Sequence, residues 1–423
     1  MPRTVLIRGA RQLLTLHGPT GPRRGEAMRQ LGIIEDGAIL ISDGIITNVG
    51  PTRRIENLAG ARSAEDINAA GRVVMPGFVD SHTHLIAAPP RLAEGRAPAY
   101  PVAEPAAGRK ATHLSTDHIR RSSAPSLEHQ AKRLLSGFLR HGTTTIEAKT
   151  GYGLDESGEM KMLRVLSRLV EAGFPVVPTF LAPHMAPSDF AGTRDEYLAW
   201  VCNYLLPKIK SRNLSRFVDG FCDPDGLTLP EAHALMTAAR RLGLAIRLHA
   251  ENTTRMGSVQ MAVEMGAISV DGLNHIDASD AALLGRSHTV AVVMPGPMHQ
   301  GYTSRFAPAR ELIDSGAALA LASGFHPPVS STFNMMTVIS IACTHMKMTP
   351  EEAMTATTFN GACALTRGST SGSLEYGKDA DLIMLNVSDY REIPYHFGVN
   401  LVAMTMRKGQ VVYREGAVAW DAE

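Results

Sequence analysis

Within Asp80-Ser81-His82-Thr83-His84, two imidazoles stand at alternate positions directly after the apolar run Val73-Val74-Met75-Pro76-Gly77-Phe78-Val79. In extended backbone, residues i and i+2 face the same side, so both rings can converge on one ion. Alone, such a pair could equally be two polar residues in a turn. The run before it argues instead for a strand that ends at the pair. His249 closes Ile246-Arg247-Leu248 and is followed by Ala250 and Glu251, and His275 closes Val270-Asp271-Gly272-Leu273-Asn274. A lone histidine is more often a satisfied structural residue. Four at strand ends of one barrel converge, because those ends open onto one face. Three neutral imidazoles leave a position on Zn²⁺ open for water and lower its pKa toward about 7. That chemistry suits hydrolysis of an amide-like C–N bond, with a nearby His or carboxylate moving protons.

The elements that must position these residues can be read on either side of them. Short apolar runs (Val176–Leu181, Ala245–Leu248, Ala291–Met294, Leu319–Ala322) alternate with helix-like segments (Glu159–Ala172, Leu229–Leu242, Val259–Met265, Pro308–Ser315). Strand then helix, repeated over 76–365, predicts parallel βαβ units closing into a (β/α)₈ TIM barrel. Both ends of the chain read as short strands. Ala38–Ser42 and Ile45–Val49 flank Asp43-Gly44, a strong hairpin signal, and Ala403–Arg407 and Gln410–Tyr413 flank Lys408-Gly409. Residues 1–75 and 366–423 are therefore expected to form one small composite β-sandwich. Segment 87–126, rich in Pro, Ala, Arg and Gly, reads as a long loop covering the site.

Composition limits the alternatives. The 423 residues carry 42 basic and 41 acidic side chains, so no long-range field for nucleic acid or an anionic membrane is expected. No apolar run approaches the roughly 20 residues that span a bilayer. Four dispersed cysteines without a CxxC pair suit reduced thiols in the cytoplasm. No GxGxxG or P-loop sequence follows a strand.

With these residues in view, the chain resembles the imidazolonepropionases, cyclic amidohydrolases of histidine breakdown. The likeness rests on PGFVDSHTHL (76–85), HGTTTIEAKTGYGL (141–154), PTFLAPHMAP (178–187) and LHAEN (248–252). It continues through PARELIDSGAALALAS (308–323), HMKMTPEEA (345–353) and PYHFGVN (394–400). It implies an amidohydrolase barrel with one divalent metal, zinc first and iron as the alternative, held by His82, His84 and His249. It also implies a small ring substrate bearing a carboxylate, and a homodimer. Arg91, Tyr152 and His184 would line the substrate pocket, with Tyr100 as a second carboxylate contact at a spacing from Arg91 that departs from the family's. An Arg fork grips a propionate carboxylate in a bidentate manner.

The departures cluster at the chemistry. The family carries Thr-Asp-Phe-Asn-Pro-Gly after the eighth strand, where this chain reads Ser323-Gly324-Phe325-His326-Pro327-Pro328. Gly324 thus replaces a metal-binding, proton-moving Asp, and His326 replaces a substrate-contacting Asn. Asn252 stands where the family has a substrate-facing Glu. Ala107-Gly108-Arg109-Lys110 replaces a Gly-Gly-Gly-Ile loop, and His275 aligns only through an insertion. Three outcomes are open: His326 takes over as ligand or base; a related reaction uses His275 or Glu251 as base; or the site binds without turnover. The leading expectation is hydrolysis of an imidazolone- or hydantoin-like ring with a propionate-type side chain. Hydrolytic desulfurisation of a thiohydantoin propionate, as in ergothioneine breakdown, and non-catalytic binding are the alternatives. Superfamily members with two metals use a carbamylated middle-strand Lys; for Lys149 a structural role is expected.

Overall fold

A computed structural model describes residues 3–89, 107–183, 185–299, 305–327 and 330–416. The N-terminal strands are β1 (Thr4–Leu14), β2 (Ile33–Ser42), β3 (Ile45–Pro51), β4 (Glu65–Asn68) and β5 (Val73–Pro76). The central strands are β6 (Phe78–Asp80), β7 (Thr143–Lys149), β8 (Val176–Leu181), β9 (Phe217–Cys222), β10 (Ala245–Ala250), β11 (Ser269–Gly272), β12 (Val290–Val293) and β13 (Ala318–Leu321). The chain closes with β14 (Leu382–Leu385), β15 (Val402–Arg407) and β16 (Gln410–Arg414).

The terminal strands form one mixed sheet in the order β16-β15-β14-β5-β1-β2-β3, with β4 on β1. The two ends of the chain join where β5 runs antiparallel to β14, from Pro76 opposite Leu382 to Val73 opposite Leu385. The Asp43-Gly44 hairpin is present, with φ of 49° and 82° at its two turn residues. Positive φ at both positions matches the right-handed twist of the flanking strands. Its counterpart, Lys408-Gly409, has φ of 45° and 70°. The tips touch: a Cβ on Gly44 would stand 2.6 Å from the Lys408 carbonyl oxygen, so only glycine fits there.

Eight parallel strands run β6 to β13 in sequence order, the barrel expected from the alternation of strand and helix. Closure is made by the C-terminal extensions of the first and last strands. Thr83 bridges Phe325, and the His84 N–H donates to the Phe325 carbonyl at 2.7 Å. Asp80 reinforces the seam, one oxygen accepting the Ser323 N–H at 3.0 Å and the other the Ser323 hydroxyl at 2.5 Å. Burial pushes the Asp80 carboxyl up to about 7, against the Ser323 hydrogen bonds. The closing seam is therefore built from the two segments that also carry His82, His84 and His326.

Along each strand, side chains alternate between the barrel interior and the helical layer. On β7, Ile146 and Ala148 pack against Leu135, Phe138, Leu166 and Leu169 of the outer helices, which leaves Glu147 and Lys149 inward. The loop expectation for 87–126 is corrected over its second half, where helices cover Ala107–Arg121 and Ala124–Arg140, while 90–106 lie outside the described residues. The first helix was illegible because its buried face is mostly hydroxylic. Thr112, Ser115, Thr116 and Ile119 face inward, at the i, i+3, i+4, i+7 spacing that aliphatics usually supply. Local bonds satisfy two of the hydroxyls: Thr116 donates to the Thr112 carbonyl, and Ser115 accepts the Ala88 N–H. Among the described residues no helix is long and apolar enough to cross a membrane.

Candidate metal centre and active site

β6 ends at Asp80, and the extended segment beyond it carries His82 and His84; β10 carries His249 as its fifth residue. The rings of His82 and His84 lie 5.5 Å apart, centre to centre, and those of His82 and His249 lie 5.2 Å apart. Phe221 of β9 packs edge-on against His249 at 5.0 Å. His326 completes the cluster. Because the His84 amide is tied to Phe325, the next side chain is delivered beside His84, at 4.7 Å between rings. His326 also stacks on Tyr152 at 5.1 Å with an interplanar angle of 15°.

Each ring is held from behind. His82 Nδ1 meets Asp271 Oδ2 at 2.7 Å, and His84 Nδ1 meets the Tyr152 hydroxyl at 3.0 Å. These contacts occupy the δ nitrogens and leave Nε2 of both rings for another partner, the way protein side chains orient metal-bound imidazoles. His249 Nε2 and His326 Nε2 are buried without any hydrogen-bond partner. Burial holds His82, His84 and His249 below the ordinary imidazole value, with Asp271 opposing the fall at His82 and with Asp271 and Asp219 opposing it at His249. The rings are therefore neutral at physiological pH, the form in which nitrogen gives a lone pair to a cation. As placed, no group of three His, Cys, Asp or Glu side chains among the described residues closes to coordination distance. The donor set, neutral imidazoles with bare or unengaged ring nitrogens, fits a metal in its chemistry.

Below the imidazoles lies a charged layer. Lys149 pairs with Glu147 at 2.7 Å and with Asp219, and stands 3.7 Å from Asp271. Arg247 pairs with Asp271 at 2.9 Å and lies 3.3 Å from Glu147. All five are essentially buried, and three carboxylates face two cations, leaving one negative charge under the ring cluster. Burial opposes the Lys149 charge, but Asp219 and Glu147 outweigh it and hold its pKa above the ordinary value. The two nearest carboxylate partners of Lys149 both belong to this layer. Burial likewise opposes ionisation of Asp271, and Arg247 and Lys149 override it, keeping that carboxyl well below the usual range.

Other expected residues fall elsewhere. Glu251 is spent: Oε1 accepts the Ser258 N–H and hydroxyl, both at 2.8 Å, and Oε2 accepts the Met256 N–H at 2.5 Å. It caps the helix Ser258–Glu264, so it is not a free base. His275 lies outside the ring cluster. β11 ends three residues earlier at Gly272 (φ 97°), the chain turns at Leu273 (φ 65°), and the His275 amide bonds the Glu251 carbonyl. The strand-end position facing the site is thus Gly272, where a Cβ would stand 3.0 Å from His249 Nε2. Asn252 is half-buried and its amide oxygen accepts from Asn274 at 3.0 Å. Tyr152 is at the site, but its hydroxyl is committed to His84. Arg91, Tyr100 and His184 lie outside the described residues.

Sequence comparison decides the family. The amidohydrolase family model matches residues 73–412. The imidazolonepropionase of Solibacter usitatus (strain Ellin6076) is 41% identical over 411 residues, covering 96% of this chain and 98% of that protein. This chain is an imidazolonepropionase-like amidohydrolase. The imidazolonepropionase of Geobacillus thermodenitrificans (strain NG80-2) is 39% identical and covers 98% of this chain and 99% of its own. In fold the amidohydrolase barrel also matches a zinc-bound adenosine deaminase from Xanthomonas campestris, with a TM-score of 0.71 at 18% identity over 97% of this chain and 93% of the other.

Two features escaped sequence reading. One is the charged layer, whose signal was a charged residue inside each of several apolar strands: Lys149 in IEAK, Asp219 in FVDG and Arg247 in AIRL. The other is Asp223, directly after β9. It is 2% exposed, with Oδ1 accepting the Thr253 hydroxyl at 2.5 Å and the Thr253 N–H at 3.3 Å.

Proposed function

We propose that this amidohydrolase opens a five-membered imidazolone ring bearing a propionate side chain by hydrolysing a ring C–N bond. The observation that carries the reading is the end-to-end likeness to imidazolonepropionases, 41% identity across 96% of the chain, which spans barrel and terminal sheet alike. The imidazole cluster supports it chemically. His82, His84 and His249 would hold one divalent metal, zinc in the first instance, through the nitrogens not engaged by Asp271 and Tyr152. Such an ion supplies Lewis-acid polarisation and a water of lowered pKa.

The chain's own residues do the rest. Tyr152 and Asp271 orient the ligand rings, and the net negative layer below them favours a cation at their open side. Burial pushes His326 down to about 3, so its neutral ring is a weak base, and its free Nε2 beside His84 would act as a further nitrogen donor to the ion or as a hydrogen-bond acceptor in the site. Position 324 cannot supply a carboxylate to the site as folded: its backbone is left-handed and a Cβ there would point at Pro297 and Met294. Arg91 is proposed to grip the propionate, with Tyr100 and His184 beside it. The reading carries with it a cytoplasmic setting, breakdown of histidine-type rings and a homodimer.

Incubating the purified, metal-loaded protein with 4-imidazolone-5-propionate and following loss of ring absorbance tests the proposal. Ring-opened product at a rate well above the spontaneous one is expected, with about one metal per chain. Sulfide release from a thiohydantoin propionate without imidazolone opening would replace this reading with desulfurisation.

A further inference from the structure

Asp223 follows Cys222, the last residue of β9, whose register partner is Ala250 of β10. It therefore sits at the C-terminal end of the barrel, on the face that carries His249. One carboxylate oxygen is fully engaged: Oδ1 accepts the Thr253 hydroxyl and backbone N–H, and the Asn252 amide also faces the group. The other, Oδ2, is buried and has no hydrogen-bond partner. No lysine or arginine among the described residues forms an ion pair with it. Thr253, four residues beyond His249 on the loop that leaves β10, holds the carboxylate at that end of the barrel.

Buried carboxylate oxygens are almost always satisfied, and one left bare asks for a partner from outside the chain. The other bare acid oxygen, Asp219 Oδ1, belongs to a carboxylate already paired with Lys149, and the bare Ser and Thr hydroxyls can rotate to new acceptors. Asp223 can do neither. Its negative charge repels a propionate and attracts a donor, and in an imidazolone ring the donors are the ring nitrogens.

We infer that Asp223 is a specificity-determining residue of this site, its Oδ2 accepting a hydrogen bond from a substrate ring N–H and so selecting five-membered rings with an unsubstituted nitrogen. The inference rests on the function proposed above. It also fixes polarity: the ring nitrogen lies toward β9 and the carboxylate lies away from it.

The test is calorimetric binding of hydantoin-5-propionate and its two mono-N-methyl derivatives to metal-loaded protein. The wild type is expected to bind the parent at least about tenfold more tightly than one of the methylated rings, the discrimination typical of a buried acceptor left unpaired. In Asp223→Asn the Thr253 donors keep the amide oxygen where Oδ1 stood, and the NH₂ takes the place of Oδ2. A donor then faces a donor. Parent affinity should fall by about tenfold or more and the discrimination should vanish, with melting temperature and metal content unchanged. Asp223→Ala, offering neither acceptor nor donor, should fall between the two. Wild-type affinity or surviving discrimination in Asp223→Asn overturns the inference. Loss of bound metal in that variant overturns it too, by making Asp223 a ligand. Failure of the wild type both to bind any of the three rings and to open the imidazolone would instead remove the functional reading, and the inference with it.

Discussion

His82 Nδ1 and Asp271 Oδ2, 189 residues apart in sequence, meet at 2.7 Å inside the barrel. The same Asp271 oxygen receives Arg247 at 2.9 Å, and the other takes the Ser269 hydroxyl at 2.7 Å. One carboxylate thus couples an expected metal ligand to the charged layer beneath it. Asp271→Asn keeps the shape and removes the charge. Metal affinity is expected to drop by about 10–100-fold, the usual effect of losing the group that orients a ligand histidine. Stability should fall by roughly 3–5 kcal/mol, because Arg247 loses the carboxylate it pairs with at 2.9 Å in a buried site. Chelator competition and urea unfolding read the two effects separately. An unchanged metal affinity would make the His82 contact incidental to binding.

Tyr152→Phe isolates the second orienting contact. The phenol is buried, which raises its pKa well above the ordinary value and keeps its proton in place. Phenylalanine preserves the ring face stacked on His326 while removing the 3.0 Å contact to His84. We expect metal affinity to weaken by about tenfold or more, with a stability change of only about 1 kcal/mol. The electronic spectrum of the cobalt-substituted protein should shift as His84 loses its fixed orientation. An identical spectrum would assign Tyr152 to packing alone.

How much of this was readable in sequence depended on whether a feature was local. His82, His84 and His249 announced themselves, each bound to an apolar run whose end they mark. The terminal module was legible through Asp43-Gly44 and Lys408-Gly409, because only a tight hairpin asks for two consecutive residues at positive φ. What failed was relational. Glu251 looks like a base until the fold brings Ser258 and Met256 round to take both its oxygens. His275 looked like a strand-end catalytic residue because nothing in VDGLNHI says that the strand stops at Gly272. Lys149, Arg247, Asp219 and Asp271 read singly as charges in strands, and they make sense only once their strands are neighbours in one barrel.

Gly324→Asp asks whether the acid found in the family can be restored. Gly324 has φ 63°, and a Cβ there would stand 2.9 Å from Pro297 Cγ and 3.3 Å from Met294 Cβ. A carboxylate added at this position starts strained and points toward the β12 end of the barrel. Destabilisation of about 1–3 kcal/mol is expected from backbone strain and overpacking together, with no gain in metal affinity. Tighter metal binding in this variant would show that the loop after β13 rebuilds to present the acid.

The last expectation concerns the joint between the two ends of the chain. Asp381 precedes β14 and accepts the Lys408 N–H at 2.8 Å, beside the place where the two hairpin tips touch. Burial lifts its carboxyl from 3.8 to about 6, against the pull of the Lys408 amide and Arg407. A carboxyl raised on folding adds stability below its unfolded value, and that contribution is lost as pH rises through the folded one. The wild type should therefore weaken between about pH 4 and 6 from this group. At neutral pH it carries the cost of a buried charge, roughly 1–3 kcal/mol at about 1.4 kcal/mol per pH unit. Asp381→Asn keeps an oxygen acceptor for Lys408 and cannot ionise. Its urea midpoint should exceed that of the wild type at pH 7.5, and the gap should shrink steadily at pH 6 and pH 5. A gap of the same size at all three values would place the effect in packing; no gap at pH 7.5 would mean that Asp381 ionises without cost.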